Sequence, residues 1–385
     1  MLSHRATAAI GSLVSRPPVP TLTAVLLAAA LPAAVLAQAG LTLPPSGDNQ
    51  KASVVQHIGL VEVRIDYSSP DVHGPNGEDR SGRIWGGLVP WGFTDPGFGT
   101  SKQAPWRAGA NENTVFTVSH DVLVEGEPLP AGSYGLHMAA QPDEWTIIFS
   151  NNSTSWGSFF YDPAEDALRV TVEPEEAEYR EWLTYDFVDR QPDQATAVLH
   201  WERLRVPFTI EVPDPVGLYV TSLRNELRST QGFGWQGWNA AANFLLRNDR
   251  DLEEALEWAE AAISRPFVGQ ENFNTLQTKA LILTRLGRGS EAHPILTELL
   301  ETGDESQINN LGYGFLNQLK DVDHAIQVFE KNVAAHPESW NVHDSLGEAY
   351  AAKGDQARAR EHYQHALSLA PEAQRRRIEG ILAEL

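Results

Sequence analysis

The segment Pro213-Asp214-Pro215 constrains the fold of this chain more than any other, because the apolar pattern changes across it. Two prolines in three residues interrupt a hydrogen-bonded strand, whereas proline is well tolerated at the start of a helix. Before this segment apolar residues alternate with polar ones, and after it they recur every three to four residues. The sequence therefore predicts a β domain over residues 51–212 and a helical domain over residues 235–385. Residues 213–234 are predicted to form a linker and connecting helix.

The first of these parts reads as a series of short strands. Val61, Val63 and Ile65 alternate with charged residues, which is the pattern of a strand with one buried face. The same alternation recurs further along, and turn-forming residues separate the stretches from one another. Many short strands without intervening helices predict an all-β antiparallel sandwich or barrel.

The helical part carries a repeat. Ala255, Ala292, Ala325 and Ala359 each lie early in an apolar helical pattern, at spacings of 37, 33 and 34 residues. A period of about 34 residues is that of the tetratricopeptide helix pair, in which small residues let the helices approach closely. The pattern therefore predicts an all-α tetratricopeptide-like solenoid.

The repeat copies differ in quality. The last copy matches the pattern best, and the copy before it has an interhelix turn that looks one residue longer. The first copy is the weakest, because Asn243 stands where a small residue is expected. Residues 372–385 are predicted to form a capping helix that buries Ile378 and turns the arginines at 375–377 towards water.

The N-terminal 39 residues have the organisation of a secretory signal. Arg5 and Arg16 precede an apolar stretch at residues 21–37, and Ala37 and Ala39 fit a cleavage site of the A-x-A type. We therefore expect a signal peptide over residues 1–39 and a periplasmic or secreted protein. A retained N-terminal anchor is the alternative.

Composition limits which kinds of functional site and binding partner this protein can have. The chain has no cysteine, which excludes disulfides, thiol nucleophiles and thiolate metal sites. Its formal net charge is −22, and removal of the signal with its two arginines would make the charge more negative still. Such a surface repels nucleic acid and anionic membranes. No second apolar stretch predicts a transmembrane segment.

Four motifs in the β domain resemble those of a known family. Trp-Arg-Ala-Gly-Ala-Asn-Glu at residues 106–112 is the most informative, since it combines an aromatic ring, a guanidinium, an amide and a carboxylate around a glycine. The others are Gly-Gly-Leu-Val-Pro at 86–90, Leu-Pro-Ala-Gly-Ser-Tyr at 129–134 and Glu-Trp-Thr-Ile-Ile-Phe at 144–149. Together they resemble a family of secreted bacterial domains of unknown function, followed here by tetratricopeptide-like repeats. The resemblance implies an architecture but no activity.

This chain also departs from the family pattern. The family usually runs from Val-Pro-[Tyr/Trp]-Gly to Trp-Arg within a few residues, whereas residues 93–105 intervene here. The loop at residues 75–81 also looks expanded. We expect any pocket that these two segments border to be altered.

Six residues are candidate ligand-binding residues of the β domain: Trp106, Arg107, Asn111, Glu112, His137 and Trp156. An arginine suits a carboxylate or phosphate, and a tryptophan suits a sugar or peptide ring. The favoured alternative is structural, with Arg107 and Glu112 forming a buried ion pair that fixes the loop. His137 and His200 fall on polar strand faces, where they could converge on a concave surface. His137 is therefore expected to add little to the core.

No motif for a nucleophile, a phosphate loop or a metal site is present. We expect a binding or scaffold protein without a cofactor or bound metal. Its repeats would bind a protein or peptide, and its β domain is a candidate site for a small ligand or glycan. The alternative is a carbohydrate-active or other hydrolytic enzyme that uses Glu112, His137 or nearby carboxylates.

Overall fold

The computed structural model describes residues 49–385, and the predicted signal peptide lies outside the described residues. Within the described part, ten strands precede ten α-helices. The strands are β1 (Gln50–Ile58), β2 (Val61–Ser69), β3 (Thr114–Val118), β4 (Val122–Val124), β5 (Glu127–Leu129), β6 (Gly132–Ala139), β7 (Trp145–Ser150), β8 (Asp166–Val172), β9 (Glu175–Val188) and β10 (Gln194–Glu211). The predicted order, an antiparallel β region followed by helices, is confirmed.

The strands form two antiparallel sheets that share one core. The larger sheet has the order β1-β2-β3-β6-β7-β8, and the smaller has the order β5-β4-β10-β9. Val63 and Phe116 from the larger sheet and Leu199 and Phe208 from the smaller one are fully buried in the same apolar cluster. The alternation read from the sequence thus separates the inner faces of a sandwich from its outer faces.

A layer of loops covers part of the outer face of the larger sheet. Ile148 on β7 points away from the sandwich core and is nevertheless fully buried. The segments over this face are tied to the sheet and to each other by backbone hydrogen bonds. Gly92 N donates to Ala140 O over 2.7 Å, and Ser101 N donates to Phe159 O over 3.0 Å. Strand alternation does not reveal such a third layer, since it reports only which face is apolar.

The helices pack as successive pairs. They are α1 (Pro215–Glu226), α2 (Trp235–Arg247), α3 (Leu252–Ser264), α4 (Phe273–Arg285), α5 (Gly289–Thr302), α6 (Glu305–Tyr313), α7 (Val322–Ala335), α8 (Trp340–Lys353), α9 (Gln356–Leu369) and α10 (Glu372–Glu384). The four repeat alanines lie on α3, α5, α7 and α9, and each is buried. Contacts of α2 with α4 and of α6 with α8 place the first helices of the pairs in one layer. We call the exposed side of this layer the inner face.

The irregular copies have local explanations. α6 continues into a π-helical segment, Gly314–Leu319, in the copy whose turn looks one residue too long. A π-helical turn accommodates an extra residue without interrupting the helix. In the first copy Asn243 Nδ2 donates to Thr278 Oγ1 over 2.7 Å, so a polar contact replaces close packing of a small residue.

The capping helix α10 buries Ile378 completely, as the sequence suggests. The arginines at 375–377 are exposed, as predicted. Arg377 Nη2 also donates to Asp344 Oδ1 over 2.8 Å. Asp344 is mostly buried on α8, where burial raises the pKa of its carboxyl and Arg377 opposes that rise.

Helix α1 joins the two apolar cores. Asp214 caps it by accepting a hydrogen bond from Gly217 N at 2.9 Å, and proline occupies the first turn. Leu218 packs against the β core, whereas Val220 is buried in the helical core. Arg250, just after α2, donates to both carboxylate oxygens of Asp214 at 2.6 and 2.8 Å.

Candidate functional site

The motif at residues 106–112 forms a tight turn against the sandwich. Ala108 and Asn111 both have left-handed backbone conformations, with φ of 51° and 57°. Ala108 O accepts hydrogen bonds from Tyr185 Oη at 2.8 Å and from Thr114 Oγ1 at 3.0 Å. A Cβ on Gly109 would lie 2.6 Å from Thr114 Oγ1, so the close approach requires glycine. Most of the motif is therefore explained by the fold.

The predicted ion pair between Arg107 and Glu112 is wrong. Glu112 Oε1 instead lies 3.0 Å from Lys51 Nζ on β1, and Oε2 accepts a hydrogen bond from Ser68 Oγ at 3.2 Å. About half of the Glu112 side chain is exposed. The two left-handed residues between Arg107 and Glu112 turn the chain, and the two side chains diverge.

Arg107 is half-buried and has no acidic partner among residues 49–385. Its Nη1 donates to Asn111 O over 2.6 Å. The guanidinium carbon lies 5.2 Å from the ring centre of Trp156 and 5.3 Å from that of Phe159. A Cβ on Gly157 would lie 2.5 Å from the same carbon, so the loop wraps closely around the cation. Burial lowers the pKa of Arg107, but arginine stays protonated at neutral pH.

Two clefts open beside Arg107. The larger has a volume of about 290 Å³, and we call it the Arg80–Arg107 cleft. Its side-chain walls include Arg80, Leu88, Trp106 and Trp201 besides Arg107. The smaller cleft, of about 160 Å³, is lined by Leu88, Trp106, Arg107, Ser158 and Phe159 together with residues of the segment 90–105. Among the described residues, no carboxylate lines either cleft, and arginine is the only charged residue in both.

Exposed apolar side chains surround the clefts. We call five of them the aromatic rim: Trp91, Phe93, Phe98, Trp156 and Phe160. Trp156 is 55% exposed and lies parallel to Phe159, which lines the smaller cleft. Two rim residues, Phe93 and Phe98, belong to the segment that departs from the family pattern. The segment lines the smaller cleft through Thr94, Pro96, Ala104 and Pro105.

The other tryptophans divide between core and surface. Trp106 is half-buried and lies parallel to Trp201, with ring centres 6.3 Å apart. Its Nε1 donates to Gly109 O over 3.1 Å. Trp201 is buried, whereas Trp182 is 37% exposed. Trp182 lies on β9, where it also forms an isolated antiparallel bridge with Asp71.

His137 does not lie on an exposed polar face. It points outward from β6, but the loop layer covers it and leaves 2% of it exposed. Its Nδ1 is 3.1 Å from Ser158 Oγ, and its ring packs edge-on against Tyr161. Burial, with a smaller effect from Arg107, lowers the pKa of His137 to about 4. His200 lies in the other sheet and donates from Nε2 to Glu178 O over 2.8 Å, so the two histidines do not converge.

The arrangement is poorly suited to hydrolysis through the residues named from sequence. Neither Glu112 nor His137 lines the clefts beside Arg107. The Ser158–His137 pair was not anticipated, because a serine in a loop 21 residues away gives no sequence signal. A histidine with a pKa of about 4 is a weak base, and no carboxylate among the described residues bonds to it.

The inner face of the repeats carries polar groups that link neighbouring helices. Gln277 Nε2 on α4 donates to Asn310 O on α6 over 3.4 Å. Tyr313 Oη donates to Glu348 Oε2 on α8 over 2.7 Å. Asn317, one helical turn beyond Tyr313, is exposed on the same side. Amide, phenol and carboxylate groups are thus displayed at regular intervals along the layer.

Two further features of residues 49–385 bear on the range of functions. No group of three or more histidine, aspartate or glutamate side chains in this part is placed to hold a metal ion. None of its helices combines the length and apolar character that crossing a membrane requires.

Comparison with known sequences identifies both parts. Residues 49–210 match the family described as a protein of unknown function, DUF2911, and residues 340–373 match the tetratricopeptide repeat. The chain therefore carries a DUF2911 domain followed by a tetratricopeptide repeat. No protein with a curated description matches it.

Several solved structures are similar to it. One is YrrB, described as a TPR protein with an unusual peptide-binding site. It is 18% identical, with a TM-score of 0.26, over 45% of this chain and 85% of that one. MamA from Desulfovibrio magneticus RS-1 is 22% identical, with a TM-score of 0.23, over 37% of this chain and 78% of that one. The type III secretion translocator chaperone SycD of Yersinia enterocolitica is 18% identical, with a TM-score of 0.23, over 29% and 89%.

Proposed function

We propose that this is an exported binding protein, periplasmic or secreted, whose helical repeats hold a protein or peptide partner and whose β domain holds a small ligand or glycan. The observation that carries the first part is the inner face, where hydrogen-bonding groups from α4, α6 and α8 are aligned on one layer of helices. The match of residues 340–373 to the tetratricopeptide repeat supports the same role.

Site-specific photo-crosslinking tests the partner-binding role. A photoreactive residue at Asn317 samples the inner face, and the same residue at Glu301, exposed on α5, samples the second helices of the pairs. Introduced into the full chain in exporting cells, the Asn317 probe should give one or a few discrete crosslinked proteins that the Glu301 probe does not. Identical products from both positions, or none from Asn317, would contradict the proposal.

Export has its own test. We expect the mature protein to begin near Gly40 and to be found outside the cytoplasm. N-terminal sequencing of the protein from fractionated cells measures both properties. A chain recovered only from the cytoplasm with Met1 intact would remove the exported part of the proposal.

The hydrolytic alternative rests on one specific contact, the Ser158–His137 pair beside Arg107. Because the low pKa of His137 makes it a weak base, we expect no turnover of glycoside, ester or peptide substrates. A serine-reactive fluorophosphonate should leave Ser158 unlabelled. Labelling that disappears in Ser158→Ala and in His137→Gln, with folding retained, would instead establish a nucleophile there.

A further inference from the structure

Arg107 is held in place, and no acidic side chain within residues 49–385 neutralises it. A partly buried guanidinium is costly unless it is paired, and structural arginines usually face a carboxylate. Here the turn at 106–112 sends Glu112 to Lys51, and a single backbone carbonyl accepts from Arg107. The full chain has a formal charge of −22, so it is unusual that this cation pairs with no acidic side chain of the described residues.

A second arginine faces the same cleft. The Arg80 side chain is about 20% exposed, and a Cβ on Gly74 would collide with its guanidinium, so it too is fixed by close packing. Its nearest acidic atom is Glu78 Oε2, 3.8 Å from Nε, too far for a direct hydrogen bond. Both arginines therefore have donors available, and bidentate pairing with a planar oxyanion is what guanidinium groups do best.

The remaining walls suit a ring. Leu88, Trp106 and Trp201 line the Arg80–Arg107 cleft. Trp156 is exposed and offers a flat apolar surface beside the guanidinium of Arg107. A volume of about 290 Å³ lies at the small end of ligand sites, which matches one or two rings rather than a folded peptide.

We infer that the Arg80–Arg107 cleft binds a carboxylate carried on a six-membered ring, with the carboxylate on the two arginines and the ring against the tryptophans. This inference rests on the proposed ligand-binding role of the β domain and specifies its chemistry. Two sources share this chemistry, a uronate sugar and an aromatic acid.

Isothermal titration of the full mature chain tests the inference, with glucuronate and benzoate as probes and glucose and benzamide as their neutral counterparts. At least one acid should bind and its neutral counterpart should not. Arg107→Gln and Arg80→Gln should each weaken binding about tenfold or more, the effect of losing one charge-assisted pair. Arg203→Gln is the matched control, because Arg203 also lies over a ring, that of Tyr179, but outside the cleft. It should leave the affinity unchanged.

Folding and specificity controls keep the test decisive. If Arg107→Gln fails to fold, Arg80→Gln and Trp156→Ala carry the comparison, since neither side chain belongs to an apolar core. Binding of glucuronate alone identifies a sugar ligand, and binding of benzoate alone identifies an aromatic acid. The inference would be overturned if neither glucuronate nor benzoate bound at millimolar concentration. Equal binding of a neutral counterpart or of inorganic phosphate would also overturn it. These results do not depend on crosslinking at Asn317, so either proposal can fail alone.

Discussion

A single glycine sets the position of the Arg107 guanidinium. Gly157 has φ of 68°, a conformation that L side chains rarely adopt, and its α-carbon packs closely against the guanidinium. The loop that carries it also supplies Trp156, Ser158 and Phe159, which contact Arg107 or His137. Local backbone geometry therefore determines where the charge of the cleft lies.

Gly157→Ala should be clearly destabilising. A left-handed alanine costs about 1 kcal/mol, and displacing the guanidinium adds about 1–2 kcal/mol. Gly126→Ala is the matched control, because Gly126 has φ of 80° and a Cβ there would meet nothing within 4 Å. Urea unfolding should show a larger loss of unfolding free energy for Gly157→Ala than for Gly126→Ala. Equal losses would mean that the guanidinium is not fixed by this contact.

His137 should make stability depend on pH. Its pKa is about 4 in the folded protein, below its ordinary value near 6.5, because burial disfavours the charged ring. The unfolded chain therefore takes up the proton first as the pH falls. Stability that is complete above about pH 6.5 should decline and be reduced by about 3 kcal/mol below about pH 4.

The difference between wild type and variant isolates this effect. His137→Gln should lack that part of the pH slope of the unfolding free energy, whereas His57→Gln, which removes an exposed histidine on β1, should retain it. Arg107 keeps its charge over this range, and Tyr161 stays neutral because burial raises the pKa of its phenol. The same slope in His137→Gln as in wild type would refute the assignment.

Sequence reasoning succeeds for single residues where neighbours along the chain decide the outcome, and fails where distant ones do. Val61, Val63 and Ile65 are buried as their alternation predicts. Glu112 was assigned to Arg107 because they are five residues apart, but its partner Lys51 comes from β1. Trp106, Arg107 and Asn111 line the Arg80–Arg107 cleft and Trp156 contacts Arg107, whereas Glu112 and His137 lie outside the clefts. The expanded loop at 75–81 contains Arg80, but no pattern singles out this residue.

At the level of elements, helix pairs depend on close contact between a glycine and a ring. A Cβ on Gly312 of α6 would collide with the ring of Phe329 on α7. In the last copy a Cβ on Gly347 would lie 3.1 Å from Tyr363, a tighter fit than usual but not a collision. The glycines and aromatic residues of the repeat motif are thus the residues that make these contacts.

Gly312→Ala and Gly380→Ala should have opposite effects. Alanine gains about 1 kcal/mol over glycine inside a helix, which is all that happens at Gly380, where nothing lies within 4 Å. At Gly312 the clash with Phe329 adds about 1–3 kcal/mol of overpacking and outweighs the gain. Thermal unfolding should therefore shift upward for Gly380→Ala and downward for Gly312→Ala. An upward shift for both would show that the helices can separate freely.

The loops over the larger sheet could not be predicted from a sequence pattern. The strands and helices were predictable because each buries one face with a regular period. The loops that cover Ile148 and His137 have no period, and their position depends on backbone hydrogen bonds to β6 and to one another. The larger sheet consequently has two buried faces along part of its width, where the sequence suggested one.

At the scale of the whole molecule, the strands and the helices bury two distinct apolar cores. Ala359→Leu should therefore disturb only one of them. Ala359 is fully buried between α8 and α9, and overpacking there costs about 1–3 kcal/mol. Hydrogen exchange followed by mass spectrometry should quicken in α7 to α10 and remain unchanged in β3 and β10. Faster exchange in those strands as well would indicate one cooperative unit.

Helix α1 contacts both cores through opposite sides of a single turn. This contact sets the direction in which the inner face of the repeats points. Each residue of an α-helix advances the side chains by about 100° around the axis. Leu218 packs against the β core and Val220 against the helical core. The number of residues between them therefore fixes the direction of the inner face around the axis of α1. A one-residue insertion there would redirect the face by roughly a quarter of a revolution. The orientation of the repeats around the axis of α1 therefore changes only in steps, one for each residue inserted or deleted. Substitutions of surface residues do not change it.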